Sequence, residues 1–152
     1  MSNKVVFLDY DGVVNTPMWD KDGKRCRYGM PYDGAVNNFQ AVQWVSEFCQ
    51  KYGYDIVVTS TWRMDENYAE CLMRAGLRPG IHILGRTPII HADYDSRSKE
   101  IKAWLKQHPE VTEYLIFDDE GVPGFEDKLV KCDTYTGFGM REYLEAEKYL
   151  AR

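Results

Sequence analysis

Apolar positions along the chain fall into two rhythms. Five short runs, residues 5–9, 55–60, 81–84, 114–118 and 129–133, are apolar with little polar alternation. The clearest, "DIVVTS" and "YLIFDD", are rich in Val, Ile and Leu, the pattern of strands covered on both faces. Between the runs the period lengthens. Ala35, Phe39, Val42, Val45 and Cys49 recur at steps of three and four, which predicts a helix closed by Gly53 at its C-terminal cap. A second helix is expected over 66–75, stopped by Gly76. A third starts near Ser98, carries Ile101, Trp104 and Leu105 inward and breaks at "HPE". A fourth runs from about 139 to 150.

Strands that alternate with helices of this length predict an α/β fold: a three-layer, Rossmann-like, parallel five-stranded sheet flanked by helices. No internal repeat, linker or low-complexity tract interrupts the pattern. The 152 residues are therefore read as a single domain, 1–152, long enough to bury roughly two-thirds of the unfolded surface. Apolar residues at 44% and charged residues at 28% are those of an ordinary globular chain.

A formal charge of −5 argues against a broad nucleic-acid-binding face. The four cysteines, Cys26, Cys49, Cys71 and Cys132, form no close pair, so neither a metal knuckle nor a redox dithiol is read from them. "MSNK" runs directly into the first strand, and no apolar run approaches the ~20 residues of a membrane span. The expected location is the cytoplasm, with no membrane partner.

In doubly wound sheets ligands sit beyond the carboxyl ends of the strands, and the polar residues of interest fall there. Asp9 and Asp11 follow the first run, Thr59 and Ser60 end the second, and Asp118 and Asp119 end the fourth. Four carboxylates gathered at one edge repel one another unless a cation neutralises them. Oxygen-only ligands favour Mg2+, held by one or two carboxylates together with a substrate phosphate oxygen. Ser60 and the backbone N–H groups of the following turn can donate to that phosphate. Lys99, at the expected start of the third helix, would add positive charge. An ionised Asp9 is a reasonable nucleophile, and Asp11 is placed to protonate a leaving oxygen and then activate water.

The order "FLDYDGVVN", "VVTST", "SKEIKAWL", "LIFDDE" closely resembles the haloacid-dehalogenase-like (HAD) phosphohydrolase superfamily, whose motifs run DxDG, Ser/Thr, Lys and DD. The resemblance covers Val5 to about Gly137. It implies Asp9 as nucleophile through an aspartyl-phosphate, Asp11 as acid/base and Lys99 as the charge stabiliser. Thr59 or Ser60 would bind the phosphate; beside them, and read from the residues alone, Thr61 and Arg63 are further candidates for it, with an exposed helix-start arginine as the alternative for Arg63. Asp9, Asp118 or Asp119, and Asp11 through its backbone carbonyl, would hold Mg2+. "TSTWR", "RTP" (Arg86 to Pro88) and "TYTGFG" are similar to small capless members, including HAD domains of RNA-repair proteins, and the intervals between motifs are too short for a large cap. The implied partner is a phosphorylated substrate, a small phosphomonoester or a nucleic-acid end. The insertion that holds Lys21, Lys24, Arg25 and Arg27 is read as a solvated loop that can guide an anion.

One other fold is excluded by register, and a second is set aside by the order of its motifs. An EF-hand needs glycine sixth in its loop, and "DYDGVV" has it fourth. A receiver-type phospho-acceptor carries its acid pair early, whereas here the pair comes late. A HAD-fold module that binds metal and phosphate without turnover is the alternative reading. His82, His91 and His108 lack ligand spacing, and Trp44, Trp62 and Trp104 are expected to be packing residues.

Overall fold

The computed structural model describes residues 3–16, 39–90 and 95–150. Five parallel strands form one sheet: β1 (Lys4–Leu8), β2 (Asp55–Val58), β3 (Ile83–Arg86), β4 (Glu113–Asp118) and β5 (Leu129–Lys131), in the order β3-β2-β1-β4-β5. Among the described residues four helices accompany them: α1 (Phe39–Tyr52), α2 (Tyr68–Arg74), α3 (Ser96–Gln107) and α4 (Met140–Leu150), with a 3-10 turn at Thr61–Met64. The five strands and three-layer α/β arrangement are those expected. The predicted start of α1 near Ala35, and the four basic residues of the insertion, lie outside the described residues, as does His91.

Strand alternation decides the layers. Val6, Leu8, Ile56, Val58, Leu115, Phe117 and Val130 point to the face covered by α1, α2 and α4. Val5, Phe7, Val57, Ile116 and Leu129 point to the other face, where Ile101 and Trp104 of α3 close over them. Both faces of each inner strand are therefore buried, which is why those runs carry no polar alternation. Phe48 sits at the centre of the larger core, its ring 5.4 to 5.7 Å from those of Tyr54 and Phe117. Gly53, at φ +76°, ends α1 as expected, its N–H donating to Cys49 O at 2.9 Å.

Several boundaries differ from the expected ones, each for a local reason. β2 stops at Val58 because Ser60 turns to cap the 3-10 turn, its Oγ accepting the Trp62 N–H at 3.2 Å. β3 begins two residues later than expected and reaches Arg86, because a register irregularity opposite Ile56 and Val57 places Gly85, at φ +150°, in the strand. α3 starts at Ser96, one turn before the apolar stripe that signals it. Cys49, Cys71 and Cys132 are buried free thiols.

The chain winds outward from β1 to β2 and β3, then returns across β1 to β4 and β5. The reversal makes a crevice between the carboxyl ends of β1 and β4, the point at which such sheets bind ligands. Because Phe48 couples α1 to the strands on that face, Phe48→Ala is expected to cost about 3–5 kcal/mol, read as a loss of unfolding free energy in urea with an unchanged m-value.

Candidate active site

Three carboxylates meet in the crevice. Asp9 follows β1, Asp118 ends β4 and Asp119 comes next, and one oxygen from each lies within 4.8 Å of the others. Asp9 and Asp118 are buried. Burial and the charge of Asp118 push the Asp9 carboxyl well above its usual range, against the pull of Arg97. Burial likewise lifts Asp118 to about 6, again opposed by Arg97, while its Oδ1 accepts the Glu120 N–H at 3.0 Å.

The cation that meets these acids is Arg97. Its Nη1 lies 2.6 Å from Asp118 Oδ2, 3.5 Å from Asp9 Oδ1 and 3.3 Å from Thr59 Oγ1. Burial works against its charge, but Asp118 and Asp9 overcome it and hold the guanidinium above its usual range. The expectation for Lys99 is corrected here. Its side chain is 53% exposed, and its ion pair, 3.5 Å long, is with Asp95 one turn back on the same helix.

Helix phase explains the exchange. Arg97 is four residues before Ile101 and seven before Trp104, on the stripe that faces the sheet, whereas Lys99 is about 200° away around the axis. That stripe was visible in the sequence and could have identified Arg97. The first turn of α3 is fixed from both sides. Ser98 Oγ donates to Pro123 O at 2.7 Å, and Glu100 accepts the Ile90 N–H at 3.1 Å and pairs with Arg63.

Arg63 is the second correction. It was expected on a substrate phosphate, yet it is 3% exposed and its donors are spent inside the protein. Nε donates to Thr87 O at 3.0 Å, and Nη1 to Thr59 O and Ser60 O at 2.8 and 2.9 Å. Nη2 donates to Pro88 O at 3.2 Å and pairs with Glu100. A guanidinium has five N–H groups, so none is left for a ligand. Arg63 ties the turn after β2 to the turn after β3 and to α3.

Asp11 stands apart from the three-acid cluster. Asn15 Nδ2 donates to its Oδ1 at 2.9 Å, and Trp62 Nε1 to its Oδ2 at 3.1 Å. Burial raises this carboxyl, and the two hydrogen bonds oppose the rise. Trp62 thus links the acid after β1 to the turn that holds Ser60, a role beyond the packing expected of it. Thr59 and Ser60 are buried, and Thr61 is exposed. Because Ser60 Oγ already accepts from Trp62 N, its own proton is left to donate.

Asp119 is held by Thr134 Oγ1, which donates to its Oδ2 at 2.9 Å. Gly12 lets it close in: a Cβ there would lie 2.2 Å from Asp119 Oδ2, and the residue has φ +81°. Neither contact is marked by motif spacing in the sequence. Asp9, Asp118 and Asp119 offer oxygen donors only, partly uncompensated by the single charge of Arg97, which suits a hard divalent cation such as Mg2+.

A parallel α/β sheet with acids at the β1 and β4 ends defines a small HAD-like domain. The model of the family described as the HAD domain in Swiss Army Knife RNA repair proteins matches residues 5–142, and the chain belongs to that family. No curated protein matches it. Membership points to phosphohydrolase-type chemistry in general. Among the described residues no helix is long and apolar enough to cross a membrane.

Asp118 makes stability depend on pH in the metal-free protein. A carboxyl raised to about 6 in the fold, against ~3.9 unfolded, binds its proton more tightly when folded. Its favourable contribution is complete below pH ~4 and is lost as pH rises through ~6. Thermal unfolding of the metal-free protein is expected to show this decline, and Asp118→Asn to flatten it. A wild-type curve that rises across this interval to the same extent as the variant's would contradict it.

Proposed function

We propose that the protein is a Mg2+-dependent phosphomonoester phosphatase that works through an aspartyl-phosphate on Asp9. The reading is carried by one observation: a buried Asp9 flanked by Arg97, with the Asp118 and Asp119 carboxylates within 4.8 Å of it. Asp9, Asp118 and Asp119, with the Asp11 carbonyl that the family resemblance implies, would hold the cation, which when bound offsets phosphate charge and lowers the Asp9 pKa.

The remaining chemistry belongs to the chain. Asp9 attacks phosphorus, the bond to the leaving oxygen breaks, and Asp11 supplies the proton that oxygen needs. Water then attacks the aspartyl-phosphate and gives its proton to Asp11, releasing inorganic phosphate and restoring Asp9. Arg97, by its planar fork, stabilises charge on the transferring oxygens. Lys99 is assigned no part, and the phosphate is held by Ser60, Thr59 and the N–H groups around Thr61. The family's description names RNA repair proteins, which supports nucleic-acid-end phosphates as substrates beside small phosphomonoesters. Cytoplasmic location accords with the buried free thiols.

Release of phosphate from p-nitrophenyl phosphate with Mg2+ tests the reading. Asp9→Asn is expected to abolish turnover, Arg97→Ala to lower kcat by about 100-fold or more, and Lys99→Ala to leave it within about twofold. Equal rates for wild type and Asp9→Asn would refute the mechanism. Gly12→Ala, which forces Asp119 outward, is expected to weaken Mg2+ binding about tenfold, measured by isothermal titration.

A further inference from the structure

The "RTP" turn, Arg86 to Pro88, plays no part in the chemistry above, yet it stands beside it. Leu8 of β1 pairs with Val58 of β2, and Val58 pairs with Arg86 of β3. Arg86 is therefore in register with the residue before Asp9, two strand spacings or roughly 10 Å away, on the same carboxyl edge.

Arg86 is exposed but not loose. Its Nη1 donates to Arg63 O at 2.5 Å, and its guanidinium lies 5.1 Å from the centre of the Tyr68 ring. The contacts hold the side chain in place while using one of its five donors. The ordering entropy of a long cation is thus largely spent before any ligand arrives.

A cleft of about 560 Å3 opens at this point, with Arg86, Thr87, Met64 and Ile89 in its wall. Among the described residues no Asp or Glu lines it, although the chain carries a formal charge of −5. Met64 and Ile89 present exposed apolar surface. Thr87 Oγ1 is the buried side-chain polar atom that, among the described residues, has no hydrogen-bond partner. A buried hydroxyl left unpaired is costly, and Thr87, 2% exposed, lies beneath the surface of the cleft. An anchored guanidinium in a wall with apolar patches and no acid among the described residues suits an anion carried on a partly apolar body.

We propose that the Arg86–Thr87 turn is a subsite for a second phosphate of the same substrate, set beside the phosphate that Asp9 attacks. The inference rests on the phosphatase reading and narrows it. The preferred substrate carries two phosphates joined by a nucleoside-sized body, and a simple monoester uses half of the site. The subsite lies on the β3 side, so the substrate leaves the crevice across Trp62 and not toward β5.

The test compares thymidine 3′- and 5′-monophosphate with the 3′- and 5′-phosphorylated thymidine dinucleotides, each of which adds an internal phosphodiester and a second thymidine, and with the same dinucleotides carrying an uncharged methylphosphonate link, which must lose the advantage if the added charge gives rise to it. Wild type is expected to favour a dinucleotide over its matching monophosphate by about tenfold in kcat/KM, the worth of one partly exposed charge-assisted hydrogen bond. Arg86→Gln should remove most of that advantage through KM. Lys131→Gln, which removes a cation at the end of β5 on the opposite side, should leave it intact. No preference in wild type, an unchanged preference in Arg86→Gln, or equal loss in both variants overturns the subsite. Titration of the same dinucleotides into Asp9→Asn, with and without Arg86→Gln, separates the two claims. A roughly tenfold difference in Kd there supports the subsite even if wild type turns nothing over, and equal Kd values overturn it even if turnover is fast.

Discussion

Repulsion among Asp9, Asp118 and Asp119 is the constraint on which the rest of the site depends. Carboxylate oxygens within 4.8 Å of one another repel by about 3 kcal/mol per ionised pair at the effective dielectric of a protein near its surface. A fold that exists to be stable would separate them. This one brings them together by the most rigid means available, the carboxyl ends of two adjacent parallel strands. Phe117 and Phe138, 4.5 Å apart, pack the strand that leads into Asp118. The single guanidinium of Arg97 offsets part of the charge, and the remainder is the reason a divalent cation suits the cluster.

Placing one arginine there takes a chain of buried contacts. Arg97 is useful only if the first turn of α3 is fixed in rotation and height. Ser98 fixes it from the β4–β5 side and Glu100 from the β2–β3 side. Glu100 in turn is held by Arg63, whose other donors grip carbonyls of Thr59, Ser60, Thr87 and Pro88. One buried ion pair therefore sets the relative positions of the turn after β2, the turn after β3 and the cation on α3. Removing either partner of such a pair leaves an uncompensated buried charge, so Arg63 and Glu100 matter to the site without touching a ligand.

The strands and the three acids were legible in the sequence for a simple reason. Covered strands are continuous apolar runs, and an acid at the end of such a run has few structural explanations. Arg97 and Lys99 were harder to separate, because two residues of helix phase decide which cation faces the crevice and a motif pattern does not record phase. The stripe of Ile101 and Trp104 does record it. Arg63 was misread because a cation beside a phosphate turn looks the same in sequence whether its donors face out or in. Only the carbonyls it meets from another turn, Thr87 and Pro88, distinguish the two, and those are more than twenty residues away. Gly12 shows the same limit: its neighbour in space is Asp119, 107 positions along the chain.

Asp11 is restrained from two loops at once. Each of its oxygens accepts one hydrogen bond, Oδ1 from Asn15 and Oδ2 from Trp62, which fixes the carboxyl plane and leaves a further acceptor site on each oxygen. Asn15 is tied into the tight loop after β1, where its N–H donates to Tyr10 O at 2.8 Å. Trp62 belongs to the turn that carries Ser60, and its ring lies against Tyr10, whose hydroxyl donates to Tyr68 O at 2.7 Å. The turn after β2 and the acid after β1 are therefore joined through one residue, so a shift of the Ser60 turn is carried through Trp62 to the Asp11 carboxyl.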